Sequence, residues 1–123
     1  MYKDKEVRII LSENADEMYK ELNKLVGEEK NKGNLSSFHQ TLLRSIERVK
    51  ELLRNNPFAG DQVQKSLIPK VYIIKYGIDN LWRIELANNW RMIYTITGDK
   101  IEILNFILDI VDHKKYNKIF GYK

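Results

Sequence analysis

Apolar residues recur every three or four positions from Ala15 to Leu53 and close to every second position in the last third of the chain. That change of period constrains the fold more than any other feature, because the first spacing lines one face of a helix and the second one face of a strand. In the first block Ala15, Met18, Tyr19, Leu22, Leu25 and Val26 form one stripe, with Glu21, Lys24, Glu28 and Glu29 outside it. Asn14 followed by Glu17 matches a capping box and predicts the start of this helix. Gly33 and Asn34 supply the positive φ that ends it, and Ser36 or Ser37 can cap a second helix. The second stripe runs through Phe38, Leu42, Leu43, Ile46, Val49, Leu52 and Leu53 and should stop at Asn55, Asn56 and Pro57. Two amphipathic helices joined by a short turn predict an antiparallel hairpin, and outer charges such as Arg44, Glu47, Arg48 and Glu51 need only water.

Strand patterns flank this hairpin. Val7, Ile9 and Leu11 alternate with Arg8, Ile10 and Ser12, so the chain should open with a strand. Phe58 to Ser66 reads as a polar, glycine-containing connection. Over Pro69 to Tyr76, proline in a first turn and Gly77 just past the end weigh for a short helix, whereas Val71, Ile73 and Ile74 weigh for a strand; helix is the expectation. Strands are expected over Leu81 to Ala87, Trp90 to Thr97 and Lys100 to Ile110, with turns at Asn88-Asn89 and Gly98-Asp99, forming an antiparallel meander. A last helical stretch from His113 to Phe120, with Asp112 as its cap, closes the chain. Strands and helices are segregated, so the fold class is α+β: an N-terminal strand, a helical hairpin on a small antiparallel sheet, a three-strand meander and a short C-terminal helix. At 123 residues we expect a single domain over 1–123.

Composition excludes several classes of function. Hydrophobic residues at 43% and charged ones at 31% suit a globular chain. No apolar run approaches the roughly 20 residues that span a bilayer, and the first residues lack the apolar core of a signal peptide; a cytoplasmic protein is expected. There is no cysteine, and His39 and His113 are the two imidazoles, so neither a zinc site nor another metal or cofactor is expected. The net charge of +4 lies mainly in the second half: residues 1–60 hold 11 basic and 10 acidic side chains, and residues 61–123 hold 10 and 7.

The most informative stretch is Leu81-Trp82-Arg83-Ile84-Glu85-Leu86-Ala87-Asn88-Asn89-Trp90-Arg91-Met92-Ile93-Tyr94. It is followed by Gly98-Asp99-Lys100, the apolar run Ile101 to Val111, and Asp112-His113-Lys114-Lys115-Tyr116. In order, these are an aromatic-basic strand, a short turn, an aromatic-Arg-aliphatic-Tyr strand, an acidic turn, an apolar strand and a basic closing segment with His and Tyr. That ordered set resembles the RelE/ParE superfamily of toxins, strongly over the last third of the chain and by element order over the rest.

The resemblance implies a ribosome-dependent endoribonuclease that cuts mRNA without metal, by attack of a ribose 2′-OH on the neighbouring phosphate, and that is restrained by a small antitoxin protein. Such chemistry needs a base, cations for the phosphorane and an acid for the departing 5′ oxygen. Arg91 stands where the family has its strand arginine and would grip the phosphate; Arg83 would be a second contact. His113 and Tyr116 match the closing segment, where either would serve as acid or stack on a base. Glu85 replaces a residue that is basic in some relatives; it would supply a carboxylate base or weaken RNA binding. Lys114, Lys115, Lys75 and Lys65 would extend an RNA-binding rim. A ParE-like, non-enzymatic gyrase-binding toxin and an inactive relative that keeps the scaffold are the competing readings.

Each of these residues also has a plain structural explanation. Arg91 can pair with Glu85 on a solvated sheet face; Trp82, Trp90 and Tyr94 can be packing residues; Tyr116, Ile119 and Phe120 can simply dock the last helix. His39 is expected to pack, partly buried, without chemistry. The turn between the Arg83 and Arg91 strands discriminates. A two-residue turn puts the arginines on opposite sheet faces, whereas a three-residue turn, with Ala87 opposite Arg91, brings Arg83, Glu85 and Arg91 onto one face.

Overall fold

A computed structural model describes residues 1–121. The chain runs β1 (Glu6–Leu11), α1 (Glu13–Asn31), α2 (Phe38–Asn55), β2 (Asp61–Gln62), α3 (Lys70–Tyr76), β3 (Trp82–Glu85), β4 (Arg91–Gly98), β5 (Glu102–Val111) and α4 (His113–Phe120). The strands make a five-stranded sheet in the order β1-β5-β4-β3-β2, and helices cover both of its faces. The α+β class and the predicted helical hairpin are therefore present.

One face carries the hairpin. Ala15, Leu22 and Val26 of α1 and Leu42, Ile46, Val49 and Leu53 of α2 are buried with Leu86, Met92, Tyr94, Ile107 and Ile110 of the sheet. The other face is covered by the segment from Val63 to Tyr76 and by α4: Val63, Ile68, Tyr72 and Tyr116 pack on Leu81, Ile93, Leu108 and Val111. A register shift in the β4–β5 ladder keeps both faces apolar, since Ile93 opposes Asp109 while the next residue, Tyr94, opposes Ile107. The inserted Leu108 turns into the second core, completely buried.

Several expectations are corrected in detail. α1 is capped by Ser12, not Asn14, because the Ser12 hydroxyl accepts from the Ala15 amide at 3.1 Å while donating to the Leu108 carbonyl at 2.6 Å. Asn14 lies inside the first turn, too late to tie the helix to the sheet. The segment read as pure connection contains β2, whose Asp61 and Gln62 pair with Arg83 and Trp82. β1 runs parallel to β5, Glu6 to Leu11 against Glu102 to Ile107, a long-range pairing that local patterns do not encode. The β4–β5 turn lies at Asp99 to Glu102 rather than Gly98-Asp99, since Asp99 Oδ1 accepts from the amides of Ile101 and Glu102 at 2.8 and 2.9 Å. α3 is helical as expected, ended by Gly77 at φ 62°. Ser37 caps α2, and Asp112 caps α4 by accepting from the Lys115 amide.

Candidate functional site

The β3–β4 connection decides where the charged residues go. Ala87–Asn89 form a tight three-residue turn with Asn88 and Asn89 in the left-handed region, at φ 54° and 62°, which asparagine tolerates better than most residues. The Leu86 amide donates to the Trp90 carbonyl at 2.8 Å, and Ser45 Oγ of α2 accepts from the Ala87 amide at 3.1 Å. Glu85 then stands directly opposite Arg91, and Arg83 opposite Ile93. The hairpin closes one residue nearer Arg83 than a pairing of Ala87 with Arg91 would require, but with the same parity. Opposed residues share a face, so Arg83, Glu85 and Arg91 all point away from the helical hairpin.

α4 completes the site. β5 ends at Val111, directly beside Arg91, and the Asp112 cap starts the helix at the next residue. Tyr116, Ile119 and Phe120 dock α4 on the second core, and His113, Tyr116 and Asn117, at three- and four-residue spacing, face the cleft. An open cleft of about 270 Å³ results, lined by Asp61, Arg83, Glu85, Arg91, His113, Tyr116 and Asn117. Its walls come from β2, β3, β4 and α4.

Tyr116 organises the two arginines. Its ring is buried at 3% exposure, with the Arg91 guanidinium carbon 5.2 Å and that of Arg83 5.7 Å from its centroid. Arg83 Nη1 donates to the Tyr116 hydroxyl. A ring buried to this degree has no face left for a nucleobase, and its contacts hold the two arginines, a role other than the acid and base-stacking roles weighed for Tyr116. Arg91 Nη2 lies 3.5 Å from Glu85 Oε1, and its Nη1 donates to the Asn89 carbonyl at 2.5 Å. Glu85 is 73% exposed and Arg91 only 14%, so the pair is open to solvent on the carboxylate side. His113 is exposed, and its Nε2 lies 3.2 Å from Asn117 Nδ2, one helical turn on.

The structure gathers Arg91, Arg83, Glu85, His113 and Tyr116 into one cleft; the lysines lie outside it. Lys114, Lys115 and Lys118 line a broad depression with Asp112 and Ile119. Lys75 and Lys115 meet in a separate cleft between α3 and α4, with Tyr72 and Asp109. Lys65 is exposed in a 3-10 turn. Sequence reasoning missed two members of the cleft. Asn117 was legible through its four-residue spacing from His113, whereas Asp61 lies in a strand too short to show alternation. Trp82 and Trp90 pack, partly buried, against the hairpin-side core. His39 is partly buried as expected, with Nδ1 2.8 Å from Glu29 Oε2. Among the described residues no three His, Asp or Glu side chains gather as a metal-ligand set, and no helix is long and apolar enough to cross a membrane.

No protein-family model matches this chain, and no curated protein does. Among solved structures, a YoeB/ParE toxin from Agrobacterium tumefaciens aligns with a TM-score of 0.55 at 11% identity, over 86% of this chain and 98% of that one. The chain shares the fold of that YoeB/ParE toxin. In this fold the cleft lies on the sheet face opposite the helical hairpin, roofed by α4, and every residue of it comes from the second half of the chain.

Proposed function

We propose that this chain is the toxin of a toxin–antitoxin pair and that it cleaves mRNA on the ribosome. The observation that carries this reading is the convergence of Arg83 and Arg91 around Tyr116 in a cleft that also holds a carboxylate and an imidazole. Two guanidiniums held a few ångströms from one ring make a rigid cationic seat suited to a phosphate, and a seat that does not have to reorganise is what stabilises a phosphorane. Arg91 grips the scissile phosphate, displacing the Glu85 carboxylate from its fork. Glu85 then takes the proton from the ribose 2′-OH, and the 2′ oxygen attacks phosphorus. The bond to the 5′ oxygen breaks, protonated His113 supplies that oxygen with a proton, and a 2′,3′-cyclic phosphate remains. His113 is exposed and suits the acid role, whereas buried Tyr116 acts as a positioning residue.

The same reading implies an antitoxin. An apolar groove of about 200 Å³ between α1 and α2, lined by Met18, Leu22, Leu25, Phe38, Leu42 and Trp90, suits one face of a partner helix. The outer edge of β1 offers a second attachment, through main-chain pairing.

The test is cleavage of a defined message on programmed ribosomes, read by primer extension, with wild type and Arg91→Ala. Cuts made by wild type and lost in the variant are expected. An intact message with folded wild-type protein would overturn the nuclease reading. A ParE-like gyrase binder would then stand first, favoured by the fact that Arg91 already has an intramolecular acid partner; inhibition of gyrase supercoiling tests it.

A further inference from the structure

Asp61 of β2 stands directly across the ladder from Arg83 of β3, on the cleft face, yet no ion pair or hydrogen bond joins its side chain to any described residue. Cross-strand neighbours of opposite charge ordinarily pair. Here the Arg83 guanidinium goes to Tyr116 instead. An unengaged carboxylate beside a phosphate seat repels the ligand the seat is built for, so its presence calls for a ligand group that it can bind.

Its position says which group. Arg91 lies on β4 and Asp61 on β2, two strand spacings apart, or roughly 10 Å, with a further offset along the strands. That is too far to touch the 2′-OH next to a phosphate on Arg91, the place that Glu85 already occupies. It matches the reach from a phosphate to the edge of its own base. A carboxylate offers two parallel acceptors and no donor. Of the four RNA bases, guanine has two adjacent N–H donors on its Watson–Crick edge, N1–H and N2–H; cytosine and adenine present one amino group beside an acceptor, and uracil one N–H between two carbonyls.

We propose that Asp61 is a base-reading residue that selects guanine next to the phosphate held by Arg91. The proposal rests on the phosphate-seat reading given above, and the experiment separates the two. Affinities of the full chain for 3′-GMP, 3′-IMP and 3′-AMP would be measured by calorimetry, for wild type, Asp61→Ala, Asp61→Asn and Arg91→Ala. Wild type is expected to bind 3′-GMP roughly tenfold more tightly than 3′-AMP, the size of one bidentate base contact at an exposed site. 3′-IMP, which lacks the 2-amino group, should fall between them. Asp61→Ala should bring all three within about twofold by removing that contact, with 3′-AMP bound no more weakly than by wild type. Asp61→Asn, which keeps size and shape but presents a single acceptor, should give an intermediate preference. Asp61 is exposed and outside both cores, so these variants should fold; their melting temperatures check it.

Equal affinities in wild type, or a guanine preference that survives Asp61→Ala, would overturn the base-reading role and leave the phosphate seat standing, provided that Arg91→Ala weakens all three nucleotides. Binding unaffected by Arg91→Ala, or no binding of any nucleotide, would overturn the phosphate seat and the base reading together.

Discussion

Glu85 faces Arg91 across the β3–β4 hairpin, and its carboxylate lies 3.5 Å from the guanidinium that the proposed chemistry needs for phosphate. In the absence of substrate the acid occupies the anion seat. A solvent-open pair of this kind is worth no more than about 1 kcal/mol, so a phosphate can displace it at small cost.

Glu85→Gln therefore separates binding from chemistry. Removing the charge should tighten binding of a ribosome-bound message by a few fold at most, while losing the base should lower the cleavage rate constant by about 10²-fold or more. Single-turnover cleavage over a range of toxin concentrations reads both. An unchanged rate constant would assign the base to another group.

Gly60 couples the fold to the cleft. Its amide donates to the buried Tyr94 hydroxyl at 3.0 Å, and a Cβ there would lie 2.5 Å from the Arg83 carbonyl oxygen and 2.6 Å from the Tyr94 hydroxyl. Gly60→Ala must push β2 off β3 and should cost about 1–3 kcal/mol, typical of overpacking. Tyr94→Phe removes only the acceptor and should cost about 1 kcal/mol. Denaturant midpoints of the two variants check the order. Cleavage should fall in Gly60→Ala and persist in Tyr94→Phe.

Acid should loosen the α1–α2 turn before the rest of the chain. Ser37 Oγ at 2.5 Å, His39 Nδ1 at 2.8 Å and Gln40 Nε2 at 3.4 Å converge on the Glu29 carboxylate. Those bonds, that from Ser37 first, hold its pKa below the ordinary 4.5. A carboxyl depressed in the folded state contributes stability above its unfolded value and loses it as pH falls through the folded one. Protection factors of the Ser37 to Thr41 amides, relative to the intrinsic exchange rate at each pH, should fall below pH 4.5, and Glu29→Gln should abolish that pH dependence.

Alkali should act through the core. Burial pushes the Tyr94 hydroxyl from 10.0 up to about 12. A group raised in the folded state stabilises below its unfolded value and loses that contribution as pH rises through the folded one, here between 10 and about 12. The fall in melting temperature across that window should be shallower in Tyr94→Phe. Equal slopes in the two proteins would remove Tyr94 as the cause.

Ile46 is fully buried at the centre of the hairpin-side core. Ile46→Ala should cost about 2–5 kcal/mol, read as a lowered denaturant midpoint at unchanged slope, because the cavity beneath α2 cannot fully collapse.

Both helices of the hairpin, α3, the three C-terminal strands and α4 were legible from local signals: apolar period, serine and aspartate caps, and the glycine and proline at the ends of α3. So was the stripe of Tyr116, Ile119 and Phe120 that docks α4. These features are decided within a few residues along the chain, where backbone geometry alone sets which side chains align. Tertiary structure decided the rest. Ser12 outcompeted Asn14 as a cap because its hydroxyl also reaches the Leu108 carbonyl, 96 residues away. β1 found β5, and the two-residue β2 exists only because β3 offers it a ladder. The convergence of Arg83, Glu85 and Arg91 turned on a single residue of hairpin length, which two left-handed asparagines set. Asp61 reached the cleft by the same kind of pairing. Strand partners are chosen by hydrogen bonds and buried surface contributed by distant segments, and neither is written in the local pattern of the residues being paired.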